Sequence, residues 1–134
     1  MQRKYKILII DDEVDVLAYY AALLEDNGYD CLTAESGIEG FSMAHEKSPD
    51  LITLDVSMPD QTGLKTFSQF KESTHLAGIP ILIITATDDV ALFFKRTAHQ
   101  EIQPDGILEK PVNILDLLKK IEGILKSHKR RKGK

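Results

Sequence analysis

The stretch Tyr5-Lys6-Ile7-Leu8-Ile9-Ile10-Asp11-Asp12-Glu13 decides the fold. A short, almost continuous apolar run stops at three consecutive acids. Such a run suits a strand covered on both faces of a parallel sheet, and its shortness and acidic flank favour strand over buried helix. Four similar runs follow, at residues 30–34, 51–54, 81–84 and 106–108. Longer amphipathic segments separate them. Val14, Leu17, Ala18, Ala21, Leu24 and Glu25 recur at helical spacing, and Gly28 supplies the stop. Ser36 can cap a helix over 37–46. Leu64, Phe67 and Phe70 mark a third helix, and Val90, Phe93, Phe94 and Thr97 a fourth. Asn113 can cap a fifth, striped by Ile114, Leu117, Leu118, Ile121 and Leu125. Five strands alternating with five helices call for an α/β domain, a parallel sheet wound with helices on both faces.

Length and composition agree. At 134 residues, 43% hydrophobic and 28% charged, the chain suits one globular domain with its own core. A domain of this size buries roughly two-thirds of its unfolded surface and needs no disulfide or structural metal. Cys31 is the one cysteine; it has no internal partner and reads as a small core residue. No apolar run approaches the roughly 20 residues that span a bilayer. The basic start, Met1 to Lys6, leads into a run cut by Asp11 and Asp12, which is a strand and not a signal peptide. A cytoplasmic protein is the expectation.

Charge is unevenly placed. Residues 1–125 hold 11 Lys and Arg against 21 Asp and Glu, a net charge of −10, whereas the last nine residues hold six basic side chains and no acid. The acidic body argues against nucleic acid as its own partner, whereas the basic tail alone could touch nucleic acid or an acidic surface. Residues 126–134 read as a solvated basic tail or the start of a linker after a domain spanning 1–125.

In open sheets of this kind, ligands bind beyond the carboxyl ends of the strands. Asp11, Asp12 and Glu13 follow the first strand, Asp55 ends the third, Thr85 ends the fourth, and Lys110 follows the fifth. Two unit charges about 4 Å apart repel by roughly 1 kcal/mol in water and several-fold more at a partly buried site. Clustered carboxylates therefore call for a cation, and an all-oxygen donor set suits a hard divalent ion such as Mg²⁺. With the Lys110 ammonium and the Thr85 hydroxyl, such a rim could stabilise a phosphoryl group in transit, one carboxylate serving as nucleophile. Each residue alone has a plainer reading. Asp11 or Asp12 can cap a helix, Asp55 can close a turn with Pro59 and Gly63, Lys110 can be a surface lysine and Thr85 an ordinary strand end. Their joint placement at the ends of different strands is what carries the signal.

Ile9-Ile10-Asp11-Asp12-Glu13, Leu54-Asp55-Val56-Ser57-Met58-Pro59 with Gly63, Thr85-Ala86 and Lys110-Pro111 together resemble the hallmarks of response-regulator receiver domains, over about residues 5–125. The resemblance implies a flavodoxin-like sheet of order 2-1-3-4-5. It implies that Asp55 accepts a phosphoryl group from a phosphohistidine of a sensor histidine kinase or phosphotransfer domain. Asp12, Asp55 and the backbone carbonyl of Ser57 would bind Mg²⁺, with Asp11 acting mainly through water. Lys110 would pair with the phosphoryl group and Thr85 would move toward it. The first helix would receive the kinase. The helix around Phe93, the fifth strand and the last helix would serve an output domain, an effector or a homodimer.

Three departures stand out. Ile107 occupies a position where Tyr or Phe is frequent, so an aromatic switch cannot operate there. Gln103-Pro104 replaces a frequent Gly-Ala in a stretch longer than usual, which predicts an irregular loop over 100–105. Thr62 stands where Asp is common before the glycine, a turn variation. Phe93 and Phe94 are adjacent and cannot point inward equally, leaving one for a partner. Two other classes compete: a pseudo-receiver acting only as an interaction module, and an aspartate-nucleophile phosphatase. The intact acidic pair, acceptor, threonine and lysine oppose the first. Ser57, where such phosphatases carry a second Asp, opposes the second, so no enzyme beyond self-modification is expected.

Overall fold

The computed structural model describes residues 4–56, 62–86, 94 and 102–132, without the side chains of 62, 63 and 130–132. Five parallel strands, β1 (Lys6–Ile10), β2 (Asp30–Ala34), β3 (Leu51–Asp55), β4 (Ile81–Thr85) and β5 (Gly106–Glu109), form one sheet in the order β2-β1-β3-β4-β5. This is the expected order. Four helices lie among the described residues: α1 (Val14–Asp26), α2 (Gly37–Lys47), α3 (Thr62–Glu72) and α4 (Ile114–Lys132). The helix expected around Val90–Thr97 falls outside the described residues except for Phe94, which is buried.

Strand alternation sorts the core into two layers. Leu8, Ile10, Ile52, Leu54, Ile81 and Ile83 pack against Ala44 of α2, Phe67 and Phe70 of α3, and Phe94. Ile7, Ile9, Leu51, Leu82 and Ile84 face the other way, against Leu17, Tyr20 and Leu24 of α1 and Leu117, Ile121 and Leu125 of α4. The central strands are apolar on both faces because helices cover both, which is why their sequences show no polar alternation.

Local chemistry fixes the element ends as the sequence suggests. Ser36 Oγ accepts the Glu39 amide at the start of α2, and Asn113 Oδ1 accepts the amides of Leu115 and Asp116 at the start of α4. Gly28, at φ 91°, ends α1, with its amide on the Glu25 carbonyl and the Tyr29 amide on the Leu24 carbonyl. Two aspartates close the amino ends of strands. Asp50 Oδ2 accepts the Lys6 amide and Asp105 Oδ2 the Ile81 amide, each at 2.8 Å.

Two expectations need correction. The buried stripe of α1 is Leu17, Tyr20 and Leu24, whereas Val14 is 58% exposed and Ala18 and Glu25 face solvent. The buried arc centres on Leu24, so Tyr20 falls on one side of it and Val14 beyond the other. Cys31 is half-buried rather than a core residue, because β2 is an edge strand; burial still pushes its thiol up to about 11. Residues 126–132 continue α4 as helix, with Lys126 paired to Glu122 one turn back at 3.0 Å. Ile102–Pro104 have no regular structure, as expected; Gln100 and Glu101 lie outside the described residues.

Two glycines of helix interiors should respond oppositely to alanine. A Cβ on Gly40 would run into the Ile10 side chain in a closed core, whereas one on Gly123 would meet nothing within 4 Å. Gly40→Ala should cost about 1–3 kcal/mol through overpacking, and Gly123→Ala should gain up to about 1 kcal/mol in helix propensity. Urea unfolding of both variants checks the pair.

Candidate functional site

Asp11, Asp55, Thr85 and Lys110 reach one rim because parallel strands all end on the same side. The Asp11 amide donates to the Ala34 carbonyl, extending the β1–β2 pairing one residue past Ile10. Asp55 pairs with Ile84 in register, and the following Val56 amide donates to the Ile84 carbonyl. The Lys110 amide donates to the Thr85 carbonyl at 2.7 Å, which ties the exit of β5 to the exit of β4. The Lys110–Pro111 peptide is cis.

The side chains converge accordingly. Carboxylate oxygens of Asp11, Asp12 and Asp55 all lie within 4.8 Å of one another. Asp11 and Asp55 are buried and Asp12 is exposed. Lys110 Nζ sits 3.2 Å from Asp55 Oδ2 and 3.4 Å from Asp11 Oδ2, bridging the two buried carboxylates. The other oxygen of Asp11 accepts the Glu13 amide at 2.9 Å. Asp11 therefore organises the entry to α1 without being its N-cap, which is Glu13. Thr85 is fully buried at the end of β4. Ser57, also expected here, lies outside the described residues.

The electrostatics are those of a charged cluster withdrawn from water. Burial pushes the Asp11 carboxyl up to about 6, and the charge of Asp55 adds to this; the Glu13 amide and Lys110 oppose it. For Lys110, burial alone would favour the neutral amine, but Asp55 and Asp11 outweigh it and hold the ammonium above its ordinary range. One ammonium against three carboxylates leaves the cluster short of positive charge. Its all-oxygen donor set fits a hard divalent cation such as Mg²⁺. Both oxygens of Asp11 are already engaged, by Glu13 and by Lys110. Among the described residues this is the one group of three or more His, Cys, Asp and Glu side chains close enough to share an ion.

Sequence reasoning misses Tyr20. It is buried on α1, and its phenol is raised by burial and feels the charges of Lys110, Asp11 and Asp55. Its spacing from Leu17 and Leu24 is the signal that could have found it.

The chain is thus a doubly wound α/β domain with a buried acidic cluster, bridged by lysine, at the carboxyl edge of its sheet, where ligands bind in such folds. Comparison with known sequences makes this specific. The sequence profile of the response regulator receiver domain matches residues 7–122. The protein PilH of Pseudomonas aeruginosa is 31% identical over 122 residues, covering 90% of this chain and 97% of that protein. The alkaline phosphatase synthesis transcriptional regulatory protein PhoP of Bacillus subtilis is 32% identical over 121 residues, covering 90% of this chain. The chain spans 48% of that protein's length, and about half of the length of several other regulators it resembles. A response regulator receiver domain from Clostridium thermocellum superposes with a TM-score of 0.80 at 30% identity, covering 93% of this chain and 97% of that one. The chemotaxis response regulator CheY4 of Vibrio cholerae gives 0.77 at 27%, covering 91% and 99%. The chain belongs to the response regulator receiver domain family, the signalling domains of two-component systems.

Asp11 sets a pH dependence in the metal-free protein. Its carboxyl titrates at about 6 folded against 3.8 ordinarily. Below about pH 4 both states are protonated; between pH 4 and 6 the unfolded chain releases the proton first, and stability is lost as pH rises. Asp11→Asn should therefore be more stable than the parent above pH 6, by up to about 3 kcal/mol, and no more stable at pH 3. Thermal unfolding across pH without divalent metal measures the difference.

Proposed function

We propose that the chain is a phosphorylation-controlled signalling switch with Asp55 as its phosphoacceptor. One observation carries the reading: the Asp55 carboxylate lies beside Lys110 Nζ at 3.2 Å, within a cluster that includes Asp11 and Asp12. A carboxylate held at a strand end can attack phosphorus. A P–O bond forms to Asp55, the P–N bond of a phosphohistidine breaks, and the imidazole leaves with a proton. Lys110 would balance charge on the transferred group, and the Thr85 hydroxyl would donate to one of its oxygens. Asp12 and Asp55 would hold Mg²⁺, with Asp11 supporting it from behind; when bound, the ion neutralises charge that the single ammonium leaves uncompensated. The domain would act on itself alone, through phosphorylation and later hydrolysis of the acyl phosphate.

Family membership supports a sensor histidine kinase or phosphotransfer domain as phosphodonor, docking near α1, where Val14 and Tyr19 are exposed. It also supports a cytoplasmic setting, in which no described helix is long and apolar enough to cross a membrane. Homodimers through the helix expected around Phe93, β5 and α4, and an output domain or effector, belong to the same reading. The names of the longer relatives support a transcriptional output for such assemblies. Residues 126–132, which prolong α4, are then the route from the domain to an output partner.

Incubation with acetyl phosphate and Mg²⁺ should add one phosphoryl mass, read by intact-protein mass spectrometry. Asp55→Asn should lose it, and Lys110→Ala should slow its formation on the order of a hundredfold, since one preorganised charge contributes a few kcal/mol. Folded protein that gains no mass would overturn the reading in favour of an interaction module.

A further inference from the structure

The amino ends of the strands, opposite Asp55, hold a cavity of about 600 Å³. Four separate chain segments build it. Tyr5 precedes β1, Pro49 and Asp50 precede β3, the segment from His75 to Pro80 precedes β4, and His128 and Lys129 come from the last turns of α4. Its volume falls within the roughly 300–1,000 Å³ range of small-molecule sites, and it combines an apolar floor with a few polar groups, as such sites do. Leu76, Ile79 and Leu125 supply the floor. Two imidazoles and one ammonium stand on the wall.

The charge of the cavity lining differs from that of the body. Residues 1–125 carry a net −10, so an anion is repelled over most of the surface. Here the acid in the lining is Asp50, and one of its oxygens is held by the Lys6 amide. Against it stand Lys129 in the lining and the Lys6 ammonium, which donates to the Lys47 carbonyl at 2.8 Å beside the rim residue Ser48. His75 is further fixed by a parallel imidazole stack with His45, ring centres 5.2 Å apart and planes 3° apart, while His45 meets Phe41 edge-on. Three of the four histidines of the chain thus gather at this end, contributed by α2, the α3–β4 connection and α4. Imidazole N–H and ammonium groups are donors suited to an anionic oxygen.

We propose that this cavity is a second ligand site, independent of the acidic cluster. It takes a small molecule that joins an anionic group, phosphate or carboxylate in type, to an apolar ring or chain. The anionic end meets Lys129 and His75, and the apolar body lies on Leu76, Ile79 and Leu125. Because the cavity contacts the end of α4, a bound ligand fixes that helix against the bottom of the sheet.

Phenylphosphonate, which carries both features and cannot transfer its phosphorus, is the probe. Titrated into ¹⁵N-labelled full chain without divalent metal, it should shift the amides of His75, Ile79, His128 and Lys129 saturably, with affinity in the millimolar range or tighter. Methylphosphonate (head alone) and benzyl alcohol (body alone) should each bind about tenfold more weakly. Lys129→Gln should weaken phenylphosphonate about fivefold, and Lys129→Arg should restore most of it. Lys129 is exposed, so neither variant threatens the fold. Shifts confined to Asp12, Asp55 and Lys110, non-saturating shifts, or equal binding by the Lys129→Gln variant would each overturn the proposal. None of these outcomes bears on phosphorylation of Asp55.

Discussion

The Lys110 ammonium, held between the buried carboxylates of Asp11 and Asp55, is the interaction on which the site depends. It joins the exits of β1, β3 and β5, which are far apart in the chain. Without it, two buried carboxylates would face each other at the edge of an apolar core, where repulsion is several-fold stronger than in water. The position of Lys110 is itself set by its backbone, bonded to Thr85. The strand that carries the counter-charge is thereby registered on the strand that carries the buried hydroxyl. Charge placement and sheet register are one constraint.

The two ends of the sheet are treated differently. At the carboxyl ends the acids are left facing one another and call for cations. At the amino ends, Asp50 and Asp105 are consumed in accepting the first amides of β1 and β4. Like residues thus stand in different settings: Asp50 and Asp105 finish the backbone hydrogen bonding of strands, whereas Asp11 and Asp55 share the Lys110 ammonium. The basic residues of α4 lie toward this end, where Lys126 pairs with Glu122 and His128 and Lys129 share a cavity with His75 and Asp50.

Ile107 shows how a departure from the family pattern is absorbed. It is paired in register with Ile83 and packs against the layer that contains Phe67 and Phe94, which meet edge-on with ring centres 5.3 Å apart. Thr85, next along the alternation of β4 after Ile83, belongs to this face. An aliphatic residue there has no ring to swing between buried and exposed positions. The neighbours of position 107 are therefore the packed groups of this aromatic layer, not a ring of its own.

The sequence by itself determined the strands, the caps at Ser36 and Asn113, the stop at Gly28 and the identity of the rim residues. These depend on local chemistry and on periodicity, which neighbours in the chain report. It also carried the strand order through the family pattern of Asp11, Asp12, Asp55, Thr85 and Lys110. Tertiary structure decided what depends on curvature and neighbours: that Tyr20 rather than Val14 is buried, that Cys31 on an edge strand is only half-covered, and that the basic tail continues as helix. It alone decided that Asp11 spends both oxygens on Glu13 and Lys110, and that Tyr5, His75 and His128 meet around one cavity. Such contacts join segments separated by dozens of residues, and no local pattern encodes the distance between them.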